Sequence, residues 1–537
     1  MRKGMRRALA AVGASALALG ISACGSGNGS SVKVMPDAWV LGTTDTVTAL
    51  DPAGSYDLGS STLEYNLYQT LVTVPANSTK IQGDAAKSCT YSDPKTLKCT
   101  LKPGLKFSNG DALTSADVKY SFERAIKIQD PEGAAIYLLG SITKTNPKTG
   151  LVTLDKGAIE TPNDTTVVFH LNKPDTTFQY VLTYPGAAAI VDQQVFPAAK
   201  KLPDDQVIGS GRYKLAQYEA KNQAVLEKNT NYSGDNSTGA SQVFIKYYSD
   251  DTALKLAVQN GEVDVAWRSL SPSDISDLKS DSKLTVATGQ GAEIRYWTWK
   301  VDGPVGKNLA IRKAAAALID RAKIAKVADD NTVTPLYSIV PPGYPGHKDS
   351  FTTAYGASPS TAKAKQMLQA AGVKTPVKLT VGWTPTHYGS TAEDEANELK
   401  RELEASGLFS VTLKSTEWEQ YQKLYKQGAY DLFMLGWFPD YPDADDYLSP
   451  FLVNGGFFQN GYKNPTVNRL VAQEQGTADQ ALRQQIEGKL QDIAAKDVPL
   501  IPMWVGKNTA VYGKDMSGVD STLDPSFIFR LWMVTKR

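Results

Sequence analysis

The chain has 537 residues, more than one hydrophobic core normally holds, so two or more domains are expected. Its 57 basic and 56 acidic residues nearly cancel, and no basic stripe is visible, which argues against a nucleic-acid surface. Three histidines and three cysteines without paired spacing give no metal-site pattern and imply no cofactor.

In chain order, Arg2, Lys3, Arg6 and Arg7 precede an apolar run that ends in Ile21-Ser22-Ala23-Cys24. A basic start, a short apolar stretch and small residues before a lone cysteine read as an export signal. The run is shorter than the ~20 residues that a membrane span needs. Its ending resembles a bacterial lipobox, which implies that residues 1–23 are removed and Cys24 is acylated. An uncleaved anchor or an ordinary signal peptide is the alternative. Without residues 1–23, 53 basic residues face 56 acidic ones. Residues 24–35, rich in Gly and Ser, read as a flexible linker to the membrane.

Trp39-Val40-Leu41 begins a strand, and a helical segment follows from Ser60 to Val72. Residues 76–199 are rich in short strands and turns. There Cys89 and Cys99 flank the turn-forming Tyr91-Ser92-Asp93-Pro94-Lys95-Thr96, and an exported hairpin of this kind is expected to carry a disulfide. Thr114-Ser115-Ala116-Asp117 reads as a capping box opening a helix through Ala125. Thr165-Val167-Phe169-Leu171 alternates as a half-buried strand does. Asp251 to Asn260 reads as a helix stopped by Gly261, with a strand from Val263 to Trp267. Asn308 caps an Ala-rich helix carrying Ile311, Ala315, Leu318, Ile319 and Ala322, and Ser358-Pro359 opens another that Gly372 stops.

A strand over Val377–Trp383, a helix near Ala392–Ala405, a strand Phe409–Thr416, a helix Glu417–Gln427 and a strand Tyr430–Trp437 then follow. This β-α-β-α-β order requires parallel strands joined by right-handed crossovers. Their carboxyl ends share one edge, where open α/β sheets bind ligands. That edge brings together His387, Tyr388, Trp418, Trp437, Phe438 and Tyr441, with Asp440 as the nearest charge. An aromatic-walled cleft with one fixed charge suits a small molecule or peptide. Trp267 and Trp299, in alternating strand patterns, are expected in the core. Tyr296, Trp297 and Trp504 are expected to line the cleft.

Several motifs now resemble one family, the extracytoplasmic solute-binding proteins of ABC importers that take dipeptides, oligopeptides or nickel. They are Leu50-Asp51-Pro52 with Tyr56-Asp57, the run Leu101 to Asp111 followed by Ala116 to Phe122, Gly209-Ser210-Gly211-Arg212-Tyr213, Asn260-Gly261-Glu262-Val263-Asp264, and Gly436-Trp437-Phe438-Pro439-Asp440-Tyr441-Pro442-Asp443. The resemblance implies an α/β, two-lobed periplasmic-binding-protein-like fold with a hinge and an extra β-rich subdomain. It implies lobe I in residues 36–75, 200–294 and 506–537, the subdomain in 76–199 and lobe II in 295–505. It implies no enzymatic activity, a peptide solute, ABC permease transmembrane subunits with their cytoplasmic ATPase as partners, and a monomer held at the outer face of the cytoplasmic membrane.

In peptide-binding members the acid at the position of Asp440 pairs with the ligand's α-ammonium, and main-chain groups like those of Gly436 and Phe438 hold extended peptide. Dipeptide-specific members carry an arginine after the strand equivalent to Val377–Trp383. Here Thr386 to Glu393 contains none, which favours oligopeptides over strict dipeptides. The rival readings are an oligosaccharide, chelated nickel or a secreted hydrolase, although Gly-x-Ser-x-Gly and His-Glu-x-x-His are absent.

Overall fold

Two long strands, Leu284–Trp299 and Leu500–Gly513, pair antiparallel and form the spine of the molecule. This computed structural model describes residues 32–234, 239–268, 270–385 and 387–537. The export signal and Cys24 lie outside the described residues. On one side of the spine the strand order runs outward through Val265–Trp267, Trp39–Thr43, Gln242–Tyr247, Gln223–Lys228 and Tyr213–Glu219. On the other it runs through Leu432–Trp437, Val377–Trp383 and Phe409–Ser415. One sheet therefore serves both halves, and the register of the spine shifts between Gln290 and Ile294 and again between Arg295 and Tyr296. Such irregularities bend and twist a strand pair locally.

The second half follows the expected pattern. Val377–Trp383 pairs parallel with both Phe409–Ser415 and Leu432–Trp437, joined by helices Ala392–Ala405 and Trp418–Gln427. One face of these strands packs under the first helix, where Leu379, Val381, Met434, Trp297 and Trp299 meet Ala396, Leu399 and Leu403. The opposite face buries Tyr296, Phe433 and Leu435 with Phe451 and Phe458. Alternation along each strand sets this division.

Residues 86–170 contribute a separate antiparallel sheet of Ala86–Asp93, Thr96–Leu101, Thr166–His170 and Ile159–Asn163. Its apolar face, including Leu97, Val167 and Phe169, packs on Val118 and Phe122. Cys89 and Cys99 sit opposite each other in the hairpin and are joined by a disulfide.

Most local signals act as read. Thr114 and Asp117 form the capping box of helix Ser115–Ile128, and Gly261 ends Asp251–Asn260 with a left-handed φ of 73°. Three elements differ. The first helix is Leu58–Leu67 and not Ser60–Val72, because the Asp57 carboxylate caps the Ser60 N–H and starts the helix earlier. The Ala-rich helix stops at Ala316, since Asp320 caps a second one, Arg321–Val327. The helix expected to open at Ser358-Pro359 begins at Thr361 with Ser360 as its cap. Among the described residues, no helix is long and apolar enough to cross a membrane.

Candidate functional site

The strand Leu432–Trp437 leaves the sheet at its carboxyl end and turns through Phe438-Pro439-Asp440 into helix Asp445–Leu452. A buried arginine holds that turn from below. Arg483 donates to both carboxylate oxygens of Asp443 at 3.0 and 2.7 Å and to Glu474 at 2.9 Å. Bidentate pairing of this kind fixes direction as well as distance.

Asp440 is 9% exposed. Its backbone N–H donates to Asp446 Oδ2 at 3.1 Å, and the Trp437 indole N–H donates to the same oxygen at 3.1 Å. Asp440 Oδ2 accepts from the Tyr56 hydroxyl at 2.8 Å. No cation pairs with either carboxyl in a described ion pair. Burial pushes Asp440 up to about 7, against the hydrogen bonds from Tyr56 and Asp446. Asp446 is pushed well above its ordinary value, by burial first and then by Asp440. Two adjacent carboxyls buried without a described cationic partner favour their protonated forms.

The aromatic residues divide by role. Phe438 lies edge-on to Phe527 at 5.5 Å and beneath the Arg268 guanidinium at 5.1 Å. Trp418 stacks flat on His387 at 3.7 Å, with Tyr388 at 5.5 Å. His387 is held down to about 4 by lost hydration and by Arg295, so at neutral pH it carries no charge. Tyr441 packs against the β-rich subdomain core and donates to Asp445 at 3.3 Å. Trp504 donates its indole N–H to Glu395 at 3.0 Å and lines a cavity of about 170 Å³ with Arg268, Glu293, Lys507 and Phe527.

Tyr296, also expected at the cleft, is instead fully buried in the core, its hydroxyl donating to the Gly436 carbonyl at 3.1 Å. Trp297, expected at the cleft, is fully buried in the apolar core under helix Ala392–Ala405. The next residue of a strand faces the other way, and that face is covered here. Trp267 and Trp299 are core residues, as read.

Three contributors escaped the motif reading. Tyr56 lies in a quoted motif that assigned it no role. Tyr137, 59% exposed, stacks on Tyr56 at 6.0 Å. Arg295 stands opposite Gly436 in the neighbouring strand, and its signal was a lone arginine inside the aromatic strand run Ile294-Arg295-Tyr296-Trp297.

Comparison with known proteins puts this geometry in context. Residues 80–459 match the profile described as Bacterial extracellular solute-binding proteins, family 5 Middle. The oligopeptide-binding protein OppA of Bacillus subtilis is 26% identical over 486 residues, covering 88% of each chain. The dipeptide-binding protein DppE of the same organism is 24% identical, covering 81% of this chain and 80% of its own. Among solved structures, the ABC transporter substrate-binding protein CtaP of Listeria monocytogenes superposes with a TM-score of 0.78 at 22% identity, over 93% of this chain and 99% of that one. The unliganded open form of the murein tripeptide-binding protein MppA gives 0.75 at 20% identity, over 93% and 97%. The fold is the two-lobed one of periplasmic binding proteins.

Proposed function

The chain belongs to the bacterial extracellular solute-binding proteins, family 5, and from that membership we propose that it is a lipid-anchored receptor that captures peptides for an ABC importer. It is a binding protein and not an enzyme. The observation that carries the peptide reading is Asp440: a buried carboxyl, without a described cationic partner, just past the carboxyl end of the strand Leu432–Trp437. An α-ammonium would supply the missing charge through a charge-assisted bond. The main chain of Gly436 and Phe438 would hold extended peptide regardless of side-chain identity. Trp418, His387, Trp437, Tyr441 and Trp504 form the surrounding wall.

The finer assignments belong to the same proposal. Lobe I comprises residues 36–75, 200–294 and 506–537, lobe II residues 295–505, and the subdomain residues 76–199, with the spine strands crossing between lobes. Cys24 carries the acyl anchor, residues 24–35 are its leash, and the monomer hands its ligand to the permease's transmembrane subunits. Oligopeptides suit the cleft better than strict dipeptides, because Thr386 to Glu393 supplies no arginine.

Calorimetry with a mixed tripeptide panel tests the reading. Free-amine peptides should bind saturably without turnover, and their N-acetylated forms should bind at least tenfold more weakly. Equal binding of the two forms would remove Asp440 as the amine anchor. Failure of every peptide, with binding of an oligosaccharide or a nickel chelate, would remove the peptide reading itself.

A further inference from the structure

Beside Gly436 the protein leaves a buried guanidinium short of partners. Arg295 stands directly opposite Gly436 in the paired strands, and 1% of its surface is exposed. Nη2 donates to the Tyr388 carbonyl oxygen at 3.1 Å, whereas Nε and Nη1 have no hydrogen-bond partner. Two rings clamp the group, Tyr388 at 4.1 Å and Trp504 at 4.8 Å from their centroids.

The neighbouring acids do not satisfy it. Glu293 Oε1 is 3.7 Å from Nη2 and Glu395 Oε1 is 3.9 Å from Nε, both beyond hydrogen-bond length. Glu395 already uses Oε2 to accept from the Trp504 indole. Burial pushes Glu293 and Glu395 upward against the pull of Arg295, and Asp329 reaches about 8. Unpaired donors of a buried guanidinium are costly, and their planar fork matches a carboxylate.

Position decides what the fork can meet. A Cβ on Gly436 would lie 3.0 Å from Arg295 Nη1 and 3.1 Å from the Tyr388 ring. Glycine at that point therefore lets the guanidinium lie against the strand that borders the ligand. From Gly436 to Asp440 the chain advances four residues, at most about 14 Å when extended. A peptide lying along it with its amine at Asp440 would cover that distance in three or four residues.

We propose that Arg295 anchors the C-terminal carboxylate of the bound peptide, so that the cleft selects peptides of three or four residues. The loop after Val377–Trp383 lacks an arginine, and the neighbouring strand supplies one against that loop's Tyr388. This inference rests on the peptide reading and on Asp440 as the amine anchor.

The test compares free-acid and C-amidated forms of one tripeptide and one tetrapeptide by calorimetry on the full chain. Wild type should bind the acids at least tenfold more tightly than the amides, and more tightly than a dipeptide or an octapeptide. Arg295→Met should bring the acid-to-amide ratio to about one, and Arg295→Lys should restore part of it, with far-UV circular dichroism checking the fold. Should either variant fail to fold, the wild-type ratio decides alone. Equal affinity of wild type for acid and amide overturns the proposal, as does a ratio that survives Arg295→Met. If N-acetylation weakens binding while amidation does not, Arg295 is refuted and the peptide reading stands. If no peptide binds, the peptide reading has failed.

Discussion

Titration of Asp440 should set the pH range in which the cleft holds an amine. The carboxyl is pushed up to about 7 by burial, against the hydrogen bonding of Tyr56 and Asp446. An ammonium pairs with the ionised form, so below pH 7 a growing share of protein must first lose a proton. Affinity for a free-amine peptide should then fall about tenfold per pH unit, reaching about 100-fold, or ~2.7 kcal/mol, at pH 5. Above pH 8 the peptide's own amine, near 7.7–8.0, loses its proton, so the profile should peak between about 7 and 8.

The stability of the ligand-free protein runs the other way. A carboxyl whose folded value is raised favours the folded state at low pH, and that contribution is lost as pH rises through about 7. Ligand should therefore raise the melting temperature most near neutrality. The assay is calorimetric titration at pH 5, 6, 7 and 8 with one peptide and its N-acetylated twin. The twin should show a flat profile. Asp440→Asn should lose the slope and weaken the free-amine peptide by about 2–5 kcal/mol, the usual cost of removing one partner from a buried charged pair. A slope shared by both peptides, or a free-amine profile that is flat from pH 5 to 8, would refute the reasoning.

Three further outcomes concern the frame around the site. Replacing Cys89 and Cys99 with serine opens a loop with a sequence separation of 10 and should cost about 2–3 kcal/mol in urea unfolding. Arg483→Met leaves Asp443, Glu474 and Glu487 buried without their cation, so it should cost about 3–5 kcal/mol and lower amine affinity by loosening the turn that presents Asp440. Gly209→Ala would place a Cβ 1.9 Å from the Leu67 carbonyl oxygen. Since backbone cannot rotate away, thermal unfolding should register a loss of about 1–3 kcal/mol.

Much of the architecture was legible because local chemistry and tertiary role agree. The strand Val377–Trp383 starts by alternating, and the helix Trp418–Gln427 stops at Gly428 in the left-handed region. The turn at Asp440 was readable for the same reason, with its prolines and acids standing where strand becomes helix. Helix ends were less legible where two signals compete, as when Asp57 captured a start that Ser60 had suggested. Trp297 was misjudged because neighbouring aromatics in a strand look alike until their faces are known. Arg295 could not be assigned from its own segment, since its meaning depends on Gly436, which lies 141 positions further along the chain. Tyr56 presents the same difficulty, because its partner lies 384 residues away.

On the proposed reading, that last pair would tie ligand capture to closure. Tyr56 comes from the first segment of the chain and Asp440 from the second half, yet the hydroxyl donates directly to the carboxylate assigned to the amine. Tyr184 lies edge-on to Tyr56 at 6.0 Å and Tyr137 stacks on it, so the phenol is held from two sides. Burial and Asp440 push the Tyr56 hydroxyl upward, which keeps it protonated and a donor across the working pH range. An arriving ammonium would ionise Asp440, and an ionised acceptor binds a donor more strongly than a neutral one. The ligand's charge would therefore strengthen the Tyr56–Asp440 contact without touching Tyr56. Tyr56→Phe should weaken free-amine peptides by about 1.5–3 kcal/mol, the value of a hydrogen bond to a charged group, and leave N-acetylated peptides unchanged. Small-angle scattering should show the variant closing less fully at saturating peptide than wild type does. Equal loss for both peptide forms would mean that Tyr56 shapes the cleft and does not couple charge to closure.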